Sequence, residues 1–233
     1  MNLSALILVI LFTSSKVWAF QFEPLNNCKQ PIDYKHYSLC YSSKFKQASW
    51  TFHLLTKKSI NGNQKRTSDF RPDYSVTPFI SSKAYKKSGF DRGHLVPAAD
   101  MKISYKAMSE TFYMTNMSPQ SPSFNRGVWN ALEYGFRKTV LDYGDAYVIT
   151  APVLKGDLKS LRSGVAIPDF YYKIAYFPES NFMMAFLLPN KSLRGRSYKD
   201  YSVSVDDLEV LTGIDFFSDL PDSEENILEQ IVY

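Results

Sequence analysis

Residues 91–101 read DRGHLVPAADM, and residues 111–133 read TFYMTNMSPQSPSFNRGVWNALE. The second stretch opens with a strand-like alternation over residues 111–117, is broken by SPQSPSFN, and then changes period. Between residues 125 and 142 the apolar positions Val128, Leu132, Phe136 and Val140 recur at helical spacing, which predicts an amphipathic helix there. On a helix turning about 100° per residue, each four-residue step advances only about 40°. Asn125, Glu133 and Arg137 are therefore expected along one flank of the apolar stripe. Upstream, His94 sits between the turn glycine Gly93 and an apolar run, beside Arg92 and close to Asp91. A lone histidine is more often structural than catalytic. The polar flank of the helix changes that balance, because it supplies an oxygen donor suited to Mg2+ and guanidinium groups suited to phosphate.

Outward from this stretch, WTFHLL at residues 50–55 reads as a strand, followed by a polar, basic loop over residues 57–73. A small strand is expected near residues 77–80. Further strands are expected at 146–150, 170–176 and 182–188, all rich in β-formers and bounded by Pro, Gly or Asn. Residues 205–212 read as a capped helix, with Asp206 and Asp207 in the first turn and Gly213 just after the last. No repeat or low-complexity linker interrupts the chain, so residues 20–233 are expected to form one domain of the α+β class.

Composition excludes several functional classes. The 233 residues are 45% apolar and 21% charged, with a mean hydropathy of -0.25, as in an aromatic-rich globular protein. Two cysteines and three histidines cannot build a zinc module, an iron-sulfur cluster or a multi-bridge scaffold. No Gly-x-Ser-x-Gly elbow, Walker loop or Gly-x-Gly-x-x-Gly motif is present. The net charge of +4 is uninformative by itself, but its distribution is not. Residues 20–199 hold 26 basic against 13 acidic side chains, whereas residues 200–233 hold ten acidic and no basic ones. A cationic body with an acidic C-terminal tail suits a polyanionic partner such as nucleic acid or anionic lipid.

The first 19 residues are expected to be a signal peptide. ALILVILF at residues 5–12 has the length of a secretory core and is too short for a bilayer span, and Val17-Trp18-Ala19 offers a cleavage site before Phe20. No Lys or Arg precedes the run. Export implies a secreted or periplasmic protein with no membrane segment in its mature form. It also favours a disulfide between Cys28 and Cys40, which would stabilise by roughly 2–3 kcal/mol. The competing reading, a catalytic thiol, finds no protease-type signature around either cysteine.

The two stretches quoted first, with Asp-Arg-Gly-His, Asn-x-x-Pro-Gln and Asn-x-x-x-Trp-x-x-x-Glu followed by Arg, resemble the DNA/RNA non-specific endonucleases of the ββα-metal type. That family includes secreted bacterial nucleases and mitochondrial endonuclease G, and the resemblance runs from about Trp50 to Phe217. It implies a central antiparallel sheet flanked by helices, with a ββα-metal finger carrying the active site. It also implies that His94 is the general base, and that Asn125 is the one direct protein ligand of a hydrated Mg2+; whether Mn2+ substitutes is left open. Glu133 would hold the metal's water shell, Arg92 and Arg137 would bind phosphate, and Asp91, Asn116 and Gln120 would support the site. Arg66 best matches the family's loop arginine, with Lys65 or Arg71 as alternatives. DNA and RNA are the implied partners, and a homodimer is left open. Two other readings remain: an inactive nucleic-acid binder of the same fold, and a phosphodiesterase for small substrates. His36 and His53 stand alone in the sequence.

Overall fold

The computed structural model describes residues 24 and 28–232. The expected signal peptide lies outside the described residues.

Seven antiparallel strands form the central sheet, in the order β1 (Pro31–Asp33), β2 (Tyr37–Ser42), β3 (Gln47–Leu55), β6 (Ala146–Pro152), β7 (Phe170–Phe177), β8 (Phe182–Pro189) and β9 (Ser202–Val203). A separate two-stranded unit pairs β4 (Asp91–His94) with β5 (Met117–Gln120). The helices are α1 (Lys57–Ile60), α2 (Tyr105–Glu110), α3 (Asn130–Tyr143), α4 (Val205–Thr212) and α5 (Asp222–Leu228).

The central strands are apolar at consecutive positions because helices and loops cover both faces of the sheet. Adjacent residues on a strand point to opposite faces. Val148 and Ala175 accordingly pack with Leu132, Phe136 and Val140 of α3, whereas Ile149 and Ile174 pack with Val205 and Leu208 of α4 and with Phe216, Phe217 and Leu228. Full burial of each large apolar side chain contributes about 1.5–3 kcal/mol. Helix α4 begins where Ser204 Oγ accepts from the Asp207 amide at 3.0 Å and ends at Gly213, whose φ of 71° is left-handed. Cys28 and Cys40 are joined, with Cα atoms 5.7 Å apart, tying the N-terminal segment to β2.

Three local expectations are corrected. The helix expected over 125–142 is two pieces: a wide turn at Phe124–Trp129, in which Gly127 leaves helical dihedrals (φ -109°, ψ -109°), and then α3. The expected strand at 111–117 is instead a short 3-10 turn at Met114–Asn116 leading into β5, because this segment is buried on nearly every side and its alternation is not a solvent-core alternation. No strand forms at 77–80. The Thr77 carbonyl accepts from the side chains of Ser43 (2.9 Å) and Gln30 (3.2 Å) in place of a ladder partner.

Candidate active site

Strand β4 carries Asp91, Arg92, Gly93 and His94, paired in register with Gln120, Pro119, Ser118 and Met117 of β5. A side chain at Gly93 would meet its partners at once, since a Cβ there would lie 2.3 Å from Gln120 Cδ. The strand is anchored by Asn116, which is fully buried. Its Oδ1 accepts from the Val96 amide at 2.9 Å, and its Nδ2 donates to the carbonyls of Val96 (3.0 Å) and Thr111 (2.9 Å). Asn116 therefore fixes the backbone just beyond His94. Gln120, also fully buried, has no hydrogen-bond partner for either side-chain atom.

Beyond β5, the Phe124–Trp129 turn and α3 return over the two strands, completing a ββα unit. Its cavity, of about 410 Å3, is lined by Arg66, Arg92, His94, Asn125, Arg126, Asn130, Glu133 and Arg137, with Pro97, Ala98 and Ala99. Asn125, Glu133 and Arg137 thus reach one cavity even though Gly127 separates Asn125 from α3. Asn125 is held from behind, since its Nδ2 donates to Asp91 Oδ2 at 2.9 Å. Asp91 also receives two bonds from Arg126, at 2.8 and 2.6 Å. Burial works against ionising Asp91, but these hydrogen bonds from Arg126 and Asn125 hold its carboxyl below the usual range.

His94 is set among aromatic and cationic groups. Its ring meets Phe70 and Phe112 edge-on, with centroids 5.6 and 4.9 Å away. Arg92 lies 3.8 Å over Phe70, and Arg66 lies 4.7 Å over Phe112. Burial, followed by the charges of Arg66 and Arg92, drives the His94 pKa down to about 3, so the ring is neutral at physiological pH. Its Nε2 is buried without a partner.

The three candidates for the loop arginine differ in commitment. Arg66 lines the cavity. Arg71 is tied to Asp69 (2.6 Å) and to the Ser109 carbonyl (2.8 Å), and stacks 3.9 Å over Tyr113. Lys65 is not among the lining residues. Arg137 is also engaged, donating to Asp100 Oδ1 at 2.9 Å while bordering the cavity.

Beneath the cavity lies a buried charge network that the sequence did not suggest. Asp100 accepts from Arg137 and lies 3.3 Å from Nε2 of His53, a fully buried residue of β3. His53, apparently isolated in sequence, is therefore a partner of the site's support. Lys173 of β7, only 1% exposed, donates to Thr150 Oγ1 and lies 5.6 Å from the rings of Trp129 and Phe136. Burial raises the Glu133 pKa, with the Lys173 charge opposing, and burial lowers that of Lys173, with the Glu133 charge opposing. No local pattern announces these partners, because they arrive from strands far apart in the chain. Arg126 was equally missed, although its place next to Asn125 was a usable signal.

A family model for the DNA/RNA non-specific endonucleases matches residues 15–223. The chain is 32% identical over 220 residues to "Nuclease C1" of Cunninghamella echinulata var. echinulata, covering 86% of this chain and 87% of that protein. It is 32% identical over 211 residues to "Nuclease" of Nostoc sp., covering 84% and 76%. It is 36% identical over 152 residues to human mitochondrial endonuclease G, covering 59% and 51%. A solved structure described as the EndoG/EndoGI complex superposes with a TM-score of 0.77 at 26% identity, over 84% of this chain and 88% of that one. Sequence and fold agree, and the chain belongs to the DNA/RNA non-specific endonuclease family.

Proposed function

We propose that this protein is an exported, metal-dependent endonuclease that hydrolyses phosphodiester bonds in both DNA and RNA. The observation that carries the reading is the convergence of a neutral imidazole, an amide, an acid and four guanidinium groups on one cavity. Export is supported by the apolar leader and by the Cys28–Cys40 bridge, which suits an oxidising compartment. Among the described residues, no helix is long and apolar enough to cross a membrane.

The donor set fits one hydrated Mg2+, with Mn2+ as a substitute. Asn125 has its nitrogen turned to Asp91, which leaves its oxygen for the metal, and Glu133 lies in the same cavity to accept from bound water. Magnesium tolerates few protein ligands and keeps several waters. When bound, the ion would neutralise charge on a phosphate oxygen and on the departing 3′ oxygen. His94, kept neutral, takes the proton of the attacking water at its unprotonated ring nitrogen. Arg66 and Arg92, stacked on the Phe112 and Phe70 rings that touch His94, bind the scissile phosphate and offset charge that builds up as water attacks. Arg126 aligns Asn125 through their shared partner Asp91. Arg137 is held by Asp100, which makes it a fixed charge at the cavity edge. Since phosphate is the same at every step of either polymer, such contacts carry no base preference.

The test incubates the protein with plasmid DNA and with RNA, with Mg2+ or with chelator, beside His94→Ala, Asn125→Ala and the control His36→Ala. Loss of the base should cost roughly 10²–10⁴ in rate while nucleic-acid binding persists, and His36→Ala should cut normally. Full activity in chelator or in His94→Ala would end this reading. Binding without cleavage by the wild type would favour an inactive binder, and turnover of small diesters alone would favour a small-substrate phosphodiesterase.

A further inference from the structure

On the face of the sheet opposite α3, the chain after α5 folds back onto the start of α4. The Glu229 carbonyl accepts from the amides of Val205 (2.8 Å) and Asp206 (3.3 Å). This seating brings the Glu229 side chain against those of Asp206 and Glu209, with one oxygen from each carboxylate inside a mutual distance of 4.8 Å. Glu209 is oriented by accepting from the Phe216 amide at 2.7 Å through Oε1. Glu229 is only 4% exposed, and its Oε1 is buried with no hydrogen-bond partner. The Oε1 atom of neighbouring Glu225 is in the same condition.

The charged groups acting most strongly on Glu229 are all acidic: Glu209, Glu225, Asp206 and Asp215. No ion pair among the described residues reaches it, and Lys155 is directed to the Leu211 carbonyl at the other end of α4 (3.1 Å). Burial, and then these like charges, push the Glu229 carboxyl up to about 9. A buried carboxylate in this setting requires either a proton or a cation.

We propose that Asp206, Glu209 and Glu229 form a Ca2+ site, distinct from the nuclease centre, that fastens the acidic C-terminal segment to α4. The ligand set is all oxygen, which suits a hard cation. Ca2+ accepts several carboxylates at once in a flexible geometry, whereas Mg2+ is usually held by one or two and keeps most of its waters. Leu208, Phe216, Phe217 and Leu228 surround this junction and cover the sheet face away from the active site. The ion therefore acts on stability and leaves turnover alone.

The experiment measures melting temperature of the full chain in CaCl2, in MgCl2 and in NaCl of matched ionic strength, with calorimetric titration of Ca2+ alongside. At about 100-fold excess over Kd, Ca2+ should raise the melting temperature by about 5 °C or more beyond the salt control. Glu229→Gln and Asp206→Asn should each remove that increment and the calorimetric binding at this site, while nuclease activity in Mg2+ is unchanged. Asn125→Ala should retain the increment. An absent increment, an increment that survives both carboxylate substitutions, or one that disappears in Asn125→Ala overturns the proposal.

Discussion

Titrating His94 in the metal-free protein tests the electrostatics of the site directly. An ordinary imidazole with a pKa of about 6.5 is roughly three-quarters neutral at pH 7 and about 3% neutral at pH 5, a loss of roughly 25-fold in the basic form. With the value driven to about 3 by burial and by Arg66 and Arg92, the ring stays about 99% neutral over the same range. Because burial also raises the Glu133 carboxyl above its ordinary range, a rate profile alone does not isolate His94. Nuclear magnetic resonance of the histidine rings does, since the chain has only three histidines and His36→Ala and His53→Ala assign the others. The His94 resonances should not move between pH 7 and pH 5, and Arg66→Ala should bring their midpoint upward. The same shift has a stability consequence. Below pH 6.5 the unfolded ring takes a proton that the folded ring refuses, so stability falls by about 1.4 kcal/mol per pH unit until the folded value is approached. His94→Gln should reduce that slope, leaving the contributions of His53 and His36, which burial also lowers. A His94 midpoint between 6 and 7, unmoved by Arg66→Ala, would refute the argument.

Other outcomes follow from the contacts. Arg66→Ala should lower kcat by roughly 10²-fold or more with the melting temperature nearly unchanged, while Arg71→Ala, losing Asp69, Ser109 and Tyr113, should lower the melting temperature and leave kcat near wild type. The reverse pattern would exchange their roles. Asp100→Asn removes the charge that faces Arg137 and His53 in a site only 3% exposed, and breaking such a pair costs about 3–5 kcal/mol. A denaturant midpoint shifted by less than about 1 kcal/mol equivalent would contradict that. Reducing Cys28–Cys40 should cost roughly 2–3 kcal/mol, read as a lower melting temperature. Two alkylatable thiols in the exported, unreduced protein would mean that the bridge does not form.

Local chemistry was not sufficient for β1, β2 or β9, but it was for most of β3, β6, β7 and β8, for α4 with Gly213 after its last turn, and for the apolar stripe of α3. These depend on neighbours within a few residues, which are present in any window of the chain. The residue types around His94 and Asn125 likewise pointed to a base and a metal ligand before any coordinates. The kink at Gly127 was not legible, because a periodicity argument assumes one continuous helix. Nor was the choice among Lys65, Arg66 and Arg71 legible, since three basic residues in one loop look alike until Phe112 and Asp69 claim two of them. His53, Asp100 and Lys173 come from β3, the segment after β4, and β7, and they interact only once the sheet is assembled with β6 between β3 and β7. The pairing of Glu229 with Asp206 and Glu209 depends in the same way on α5 folding back over α4. The sequence determined which chemistry was available. Tertiary packing decided which groups are desolvated together, and the strength of a charge interaction is set by that shared loss of water, which no local pattern encodes.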